Sequence, residues 1–335
     1  MKNIYIFSIG KLVRKHNNVY FVNKEGKKKP LPIEAVSNIF ILNKVSLTYN
    51  AIKLLLDRNI FIHLFYENEK KGIFYYLGTI FPRHKHPAGI IHVKQAEAYL
   101  NQEKRAKISL EIIDALRYNC IKVIEKYPEA KEETIFLRSF NVFRKFEENF
   151  NHYKDFKFVI TGIESTIWNY FYSAIDKILK YFKLERRTKR PPKNEANAIV
   201  SFSNQLLYSI VISEIYKTHL DPTISFLHEP FERRFSLALD LAEPFKPIIT
   251  FRTLIWLINQ NVVKEGHFVK GLNGILLNEF GKKKVIEEFE KRLNETVKLK
   301  NRPKRSIRFY IRLQCYSLER FLIEGKEFKA FRLIY

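Results

Sequence analysis

Sulfur is almost missing from this chain: its 335 residues include two cysteines, Cys120 and Cys315, and one methionine. Two cysteines that far apart give neither a disulfide framework nor a metal knuckle, so the expectation is a reduced, cytoplasmic protein. Glycine is scarce too, with 11 residues against 29 phenylalanines and 18 tyrosines. That balance excludes low-complexity and collagen-like chains and favours packed helices and strands over long loops. No run approaches the roughly 20 apolar residues of a membrane helix. The opening MKNIYIFSIGKLVRK has a short apolar run that ends in charge, without an h-region or a small-residue cleavage site, and reads as a first strand. Acidic residues are the last shortage: 35 Asp and Glu face 59 Lys and Arg, a net charge of +24. A thermophile-type charged surface would be roughly balanced in sign. A surplus of this size points instead to a polyanion, nucleic acid above all.

The pattern of what is present changes once along the chain. Residues 1 to about 86 carry short β-branched and aromatic runs at Ile4–Phe7, Val19–Val22, Ile39–Leu42, Ile60–Phe65 and Gly72–Phe81, and read as strands. One helix, Tyr49 to Arg58, interrupts them. The proline-bracketed Pro82-Arg83-His84-Lys85-His86-Pro87 reads as a basic linker, within about 82–92, that also carries the one close histidine pair. From about residue 93 the period becomes helical: 95–127, 133–150, 162–182, 197–218, 254–261, 285–298 and 305–323. The expected fold is α+β, a small N-terminal β domain (1–86) followed by a larger all-helical domain (87–335).

Four residues stand out as carriers of chemistry. Stepping by three or four from Glu164 reaches Ile167, Trp168, Phe171 and Ile175, which puts a carboxylate on or beside a buried stripe. That is costly unless the group is paired or holds a metal. The same glutamate would also suit a helix N-terminus, with Gly162 marking the turn. The stretch FLHEPFERRFSLALDLAEPFKP, Phe226 to Pro247, adds His228, Asp240 and Glu243 in an apolar setting. Asp240 and Glu243, at i and i+3 on a helix, would share a face and could share a cation. Pro244 stands against this, since a residue before proline avoids the α region. A surface salt bridge from Glu243 to Lys246 or Arg233 is the simpler alternative. Two carboxylates and an imidazole suit Mg²⁺ or Mn²⁺, which can activate water or a 3′-hydroxyl against a phosphodiester. Two basic stretches fit that substrate. Lys183 to Arg190 contains Arg186, Arg187, Lys189 and Arg190, and Lys298 to Arg312 contains Arg302, Lys304, Arg305 and Arg308 with no acid among them. Arg233 and Arg234 add a basic pair beside His228.

These residues fall in a known order. Gly162-Ile163-Glu164, then Arg190-Pro191-Pro192 with Asn197-Ala198 and Ser201-Phe202, then Leu220-Asp221-Pro222 through Phe226-Leu227-His228 to Ser236–Leu241 resemble the CRISPR-associated adaptation endonuclease/integrase family, the first-numbered Cas protein. The strand order and the FPRHKHPAG linker resemble branches that accompany type I systems, so the likeness covers nearly the whole chain. It implies a metal-dependent DNA nuclease and integrase that inserts short DNA fragments into a CRISPR array, with Glu164, His228 and Glu243 on the metal and Asp240 as a further active-site carboxylate that assists by coordination or by orienting His228. It also implies a homodimer formed through the β domain and a complex with a small second adaptation protein. Ser165 and Pro244 depart from the usual pattern. Two other classes stay open on the residues alone: a non-catalytic nucleic-acid scaffold, and a restriction-type nuclease without integration.

Overall fold

The computed structural model describes residues 2–83, 89–150, 156–231, 235–298 and 303–334. Its first part is built from two four-stranded sheets. One has the order β1 (Lys2–Ile6), β5 (Val36–Ile41), β7 (Phe61–Asn68), β8 (Ile73–Ile80), parallel except for β8. The other runs β4 (Lys28–Pro30), β3 (Asn18–Asn23), β2 (Gly10–Lys15), β6 (Val45–Leu47). Strand β5 is buried on both faces, and its period-2 alternation divides it between two cores. Ile39 and Ile41 join Leu12, Val19, Ile62 and Leu55 of helix α1 (Tyr49–Asp57) in a small core between the sheets. Phe40 and Phe65 face the other way, into the large helical core. Strands β2, β4 and β6 were not anticipated: Lys and Arg hem in the two apolar residues of β2, β4 is Lys-Lys-Pro, and β6 is only three residues long.

The rest is α2 (Gly89–Leu100), α3 (Gln102–Ile124), α4 (Lys131–Ser139), α5 (Val142–Asn149), α6 (Phe156–Ile178), α7 (Glu195–Ile215), α8 (Ser236–Ala242), α9 (Arg252–Asn259), α10 (Glu279–Asn294) and α11 (Ile307–Glu324). The α+β class, strands first and helices after, is what the sequence predicts. To the helical part the structure adds two short hairpins, β9 (Phe268–Lys270) with β10 (Ile275–Leu277), and β11 (Thr296–Val297) with β12 (Arg305–Ser306). Two expected helices are each a pair. Asn101 caps α3 by accepting from the Lys104 N–H at 3.0 Å, and Asn141 caps α5 by accepting from Arg144 N–H at 3.0 Å. Helix α7 is long and apolar enough to cross a membrane, unlike anything expected above, yet most of it is buried inside the protein. The linker histidines His84 and His86 lie outside the described residues.

A buried polar seam holds the first sheet on the helices. Arg308 of α11 donates to Asn3 Oδ1 (3.1 Å), Ser37 Oγ (2.7 Å) and Glu214 Oε1 of α7 (3.3 Å). Asn38 donates to Asn3 Oδ1 at 2.9 Å, and its own Oδ1 lies 3.0 Å from His63 Nε2. The turn between β7 and β8 also packs backbone to backbone on the loop after β9. A Cβ on Gly271 would lie 2.5 Å from Glu69 O, so only glycine fits there. The same loop reaches the basic segment before α7, where Ile275 N–H donates to Pro192 O at 2.8 Å.

Candidate metal centre

Glu164 sits inside α6, two turns past its start, so the alternative of a first-turn residue after a Gly162 turn is not what forms. Ile160, Ile163, Ile167 and Trp168 around it are buried. Burial and then the nearby Glu243 carboxylate push its pKa up, against the opposing pull of His228, Lys246 and a hydrogen bond from Trp168.

His228 lies in the loop between α7 and α8 and is held there by Asp240, which is fully buried. One Asp240 oxygen accepts the N–H groups of Phe226 (2.7 Å) and Leu227 (2.9 Å). The other accepts the N–H of His228 (3.0 Å) and lies 2.7 Å from His228 Nδ1. The carboxylate thus ties the loop backbone to α8 and fixes the imidazole with Nδ1 inward, leaving Nε2 as the nitrogen available for a ligand. Burial works to lower the His228 pKa, but Asp240, Glu243 and Glu164 outweigh it and the net shift is upward. Gln95 of α2 donates to Asp221 O and Ile224 O, and Arg105 of α3 donates to Phe226 O at 2.8 Å, so two more helices brace the loop.

Glu243 follows α8 directly, and its backbone is helical (φ −51°, ψ −50°) in spite of Pro244. Helix α8 thus ends ahead of Pro244, at Ala242, while Glu243 keeps the α-region dihedrals that a residue before proline usually avoids. Backbone continuity is kept by a 3₁₀ turn, Glu243–Phe245, leading into a π turn, Pro247–Phe251, which absorb the missing proline donors. Glu243 is 1% exposed. One of its oxygens pairs with Lys246 Nζ; the other, Oε2, is buried without a hydrogen-bond partner among the described residues. One ligand atom each from Glu164, His228 and Glu243 all lie within 4.8 Å of one another. Asp240 is not the third member, its oxygens being committed to the loop. A buried carboxylate, a half-buried one and an imidazole at that spacing, with one carboxylate oxygen left over, are what a hard to borderline divalent cation takes.

Cations line the same place. Lys246, named in the sequence only as a salt-bridge partner, lies over the rings of Trp168 (5.7 Å) and Tyr208 (5.3 Å). Burial opposes its charge, but Glu243 and Tyr208 hold its pKa above the ordinary range. Lys246 and Tyr208 were missed as parts of the site, although the i, i+3 spacing of Glu243 and Lys246 is the signal for one of them. Lys189 is drawn down by desolvation and by Lys246 and Arg187. Arg187 is half-buried and donates to Asn197 Oδ1 (2.8 Å) and Ser201 Oγ (3.0 Å), which fixes the basic segment on α7. Arg186 and Arg190 of that segment are exposed, as are Lys304 and Arg305. Arg308, expected on a phosphate backbone, is buried in the seam instead. Arg233, Arg234 and Arg302 lie outside the described residues.

The model of the family described as CRISPR associated protein Cas1 matches residues 4–291. The CRISPR-associated endonuclease Cas1 of Nanoarchaeum equitans is 65% identical over 337 residues, 100% of both chains. A solved Cas1 protein from Thermotoga maritima superposes with a TM-score of 0.83 at 36% identity, over 99% of this chain and 100% of that one. The fold alone extends further. A casposase bound to integration product has a TM-score of 0.79 at 20% identity, covering 100% of this chain and 96% of that one. A chain of a Cas6-RT-Cas1–Cas2 complex has 0.80 at 16%, covering 100% and 36%. With a matching family model across most of its length and a full-length relative at that identity, this chain belongs to the CRISPR-associated Cas1 family.

Proposed function

We propose that this chain is a divalent-metal-dependent DNA endonuclease and integrase that joins short DNA fragments into a CRISPR array. The observation that carries the reading is the convergence of Glu164, His228 and Glu243, with Glu243 Oε2 unpartnered among the described residues. A bound Mg²⁺ or Mn²⁺ would supply polarisation of the phosphodiester and a lowered pKa for the attacking hydroxyl. The protein's own residues do the remainder. Asp240 keeps the His228 ring in one orientation, and Lys246 holds the Glu243 carboxylate in place while adding positive charge beside it. Lys189 beside the cluster, and the exposed Arg186 and Arg190 of the same segment, offer backbone-phosphate contacts that position DNA without reading its sequence. In the joining step a fragment 3′-oxygen bonds to phosphorus, and the 3′-oxygen of the broken strand leaves with a proton.

The assembly belongs to the same proposal. Residues 1–86 act as the dimerisation domain and 87–335 as the catalytic, DNA-binding domain of a cytoplasmic homodimer that joins a small second adaptation protein. Support comes from edge strand β8, where Tyr75 and Leu77 are exposed beside Tyr66 of β7. It comes also from the solved relatives whose names include Cas2 and an integration product.

The test is labelled branched and linear DNA with Mn²⁺, scored for cleavage and for strand joining. Wild type is expected to give both, and Glu164→Ala and His228→Ala neither. Equal product from wild type and either variant would overturn the site. Salt-dependent DNA binding without any product would favour a scaffold, and cleavage without joining a restriction-type nuclease.

A further inference from the structure

After α11 the chain runs on without regular structure, yet Phe328, Ala330, Phe331 and Leu333 are all buried. Buried irregular backbone needs partners for its N–H groups, and here side chains of α3 and α11 supply them. Ala330 N–H donates to Glu111 (2.9 Å), Phe331 N–H to Gln314 Oε1 (2.8 Å) and Leu333 N–H to Asn119 Oδ1 (2.8 Å). Two of these partners have a second allegiance. The Asn119 amide also donates to Phe331 O (2.9 Å) and to Pro244 O (2.7 Å). The Gln314 amide donates to Leu241 O at 2.9 Å. Each buried amide therefore binds the extended segment through its oxygen and the Leu241–Pro244 turn through its nitrogen. The Phe331 ring completes the clamp by stacking on Phe245 at 5.0 Å and 10°. Glu243 lies between the two carbonyls held this way, in a turn whose prolines, Pro244 and Pro247, contribute no ladder donors of their own.

We propose that the segment Phe328–Leu333, acting through Asn119 and Gln314, positions the Glu243 carboxylate for the metal, so that docking of the segment and metal binding are energetically coupled. This rests on the metal reading given above. The segment itself and Gln314 lie beyond the stretch 4–291 that the family model matches. Asn119 and Gln314 are positioning residues, since neither touches the cluster. Coupling is reciprocal: if the docked segment favours metal binding, the metal favours the docked segment by the same factor.

The experiment uses Mn²⁺ and the intact protein. Free Mn²⁺ is titrated by its electron paramagnetic resonance signal for wild type, Asn119→Ala and Phe331→Leu, and amide hydrogen exchange of residues 328–334 is followed in wild type with and without Mn²⁺. Loss of such supporting hydrogen bonds typically weakens a metal site by about 10- to 100-fold, so roughly 10-fold weaker binding is expected for Asn119→Ala and a smaller loss for Phe331→Leu. In wild type, Mn²⁺ is expected to slow exchange at Ala330, Phe331 and Leu333. The exchange measurement needs no variant, so it decides the question even where Asn119→Ala does not fold. Wild type that binds Mn²⁺ while exchange in the segment stays unchanged overturns the proposal. Wild type that binds no Mn²⁺ instead overturns the metal reading on which it stands.

Discussion

Asp240 is the residue on which most of the site geometry depends. Its one buried carboxylate satisfies three consecutive loop N–H groups and the His228 ring. An asparagine in its place could keep the shape but not the chemistry, because its NH₂ would confront groups that are already donors. We expect Asp240→Asn to lose about 2 kcal/mol of stability, the scale of hydrogen bonds to a charged acceptor. We also expect it to weaken Mn²⁺ binding by roughly 10- to 100-fold through the loosened imidazole. Thermal unfolding and Mn²⁺ titration measure the two effects separately. A variant that is destabilised but binds Mn²⁺ like wild type would show that Asp240 serves the loop and not the histidine.

At the scale of elements, position on a helix divides residues that look alike in sequence. Lys298 to Arg312 reads as one basic run, but α11 begins at Ile307, and its first turn carries Arg308 inward to Glu214 while Arg305 stays in solvent. Replacing Arg308 with alanine is expected to cost about 3 kcal/mol, as for a buried charge pair broken on one side, and to leave the salt dependence of DNA binding unchanged. Arg186→Ala with Arg190→Ala should do the opposite. Stability should hold, while the slope of log affinity against log salt becomes shallower by about 1 for each phosphate no longer neutralised. Filter binding at several salt concentrations, with thermal unfolding on the same samples, distinguishes them. The same division explains what the sequence made legible. Glu164 was visible because its apolar neighbours recur at helical spacing, whereas Lys246 entered only as one possible surface partner of Glu243 and is in fact buried against it. For Asp240 the sequence left two roles open, coordination or orienting His228, and the structure shows the second; its bonds to three loop N–H groups were not visible, since a carboxylate that bonds backbone looks in sequence like one that binds a cation. Nor were Asn119 and Gln314, whose partners lie up to 214 residues away and whose amide types announce no role. Pro244 marks the end of α8 as its local preference suggests, but the α-region dihedrals of Glu243 and the 3₁₀ and π turns beyond it are not legible from that preference.

For the whole molecule, the question is what keeps the first sheet on the helices, and the seam gives an answer that acid can test. His63 is fully buried between Thr79 (Oγ1 2.6 Å from Nδ1) and Asn38, and burial, with Arg308 and Lys217 nearby, lowers its pKa from 6.5 to about 3. Across the seam, burial alone would raise Glu214, but Lys217, Arg308 and Arg312 overcome it and hold the carboxyl at about 2. Both shifts are downward, so in both cases the unfolded chain binds more protons than the folded one and stability falls as pH falls. The windows differ. His63 begins to cost stability as soon as pH drops below its unfolded value near 6.5, and Glu214 only below its unfolded value near 4.5. With 1.36 kcal/mol per pH step, acidification from pH 7 to pH 4 should remove about 3 kcal/mol through His63 alone. A glutamine keeps a neutral hydrogen-bonding side chain there and cannot be protonated in this range. The unfolding temperature of His63→Gln should therefore be flatter than that of wild type between about pH 6.5 and pH 4.5, the window in which Glu214 does not yet titrate in either protein. Parallel curves over that window would mean that His63 takes up its proton in the folded chain as readily as in the unfolded one, and that burial in the seam does not hold it neutral.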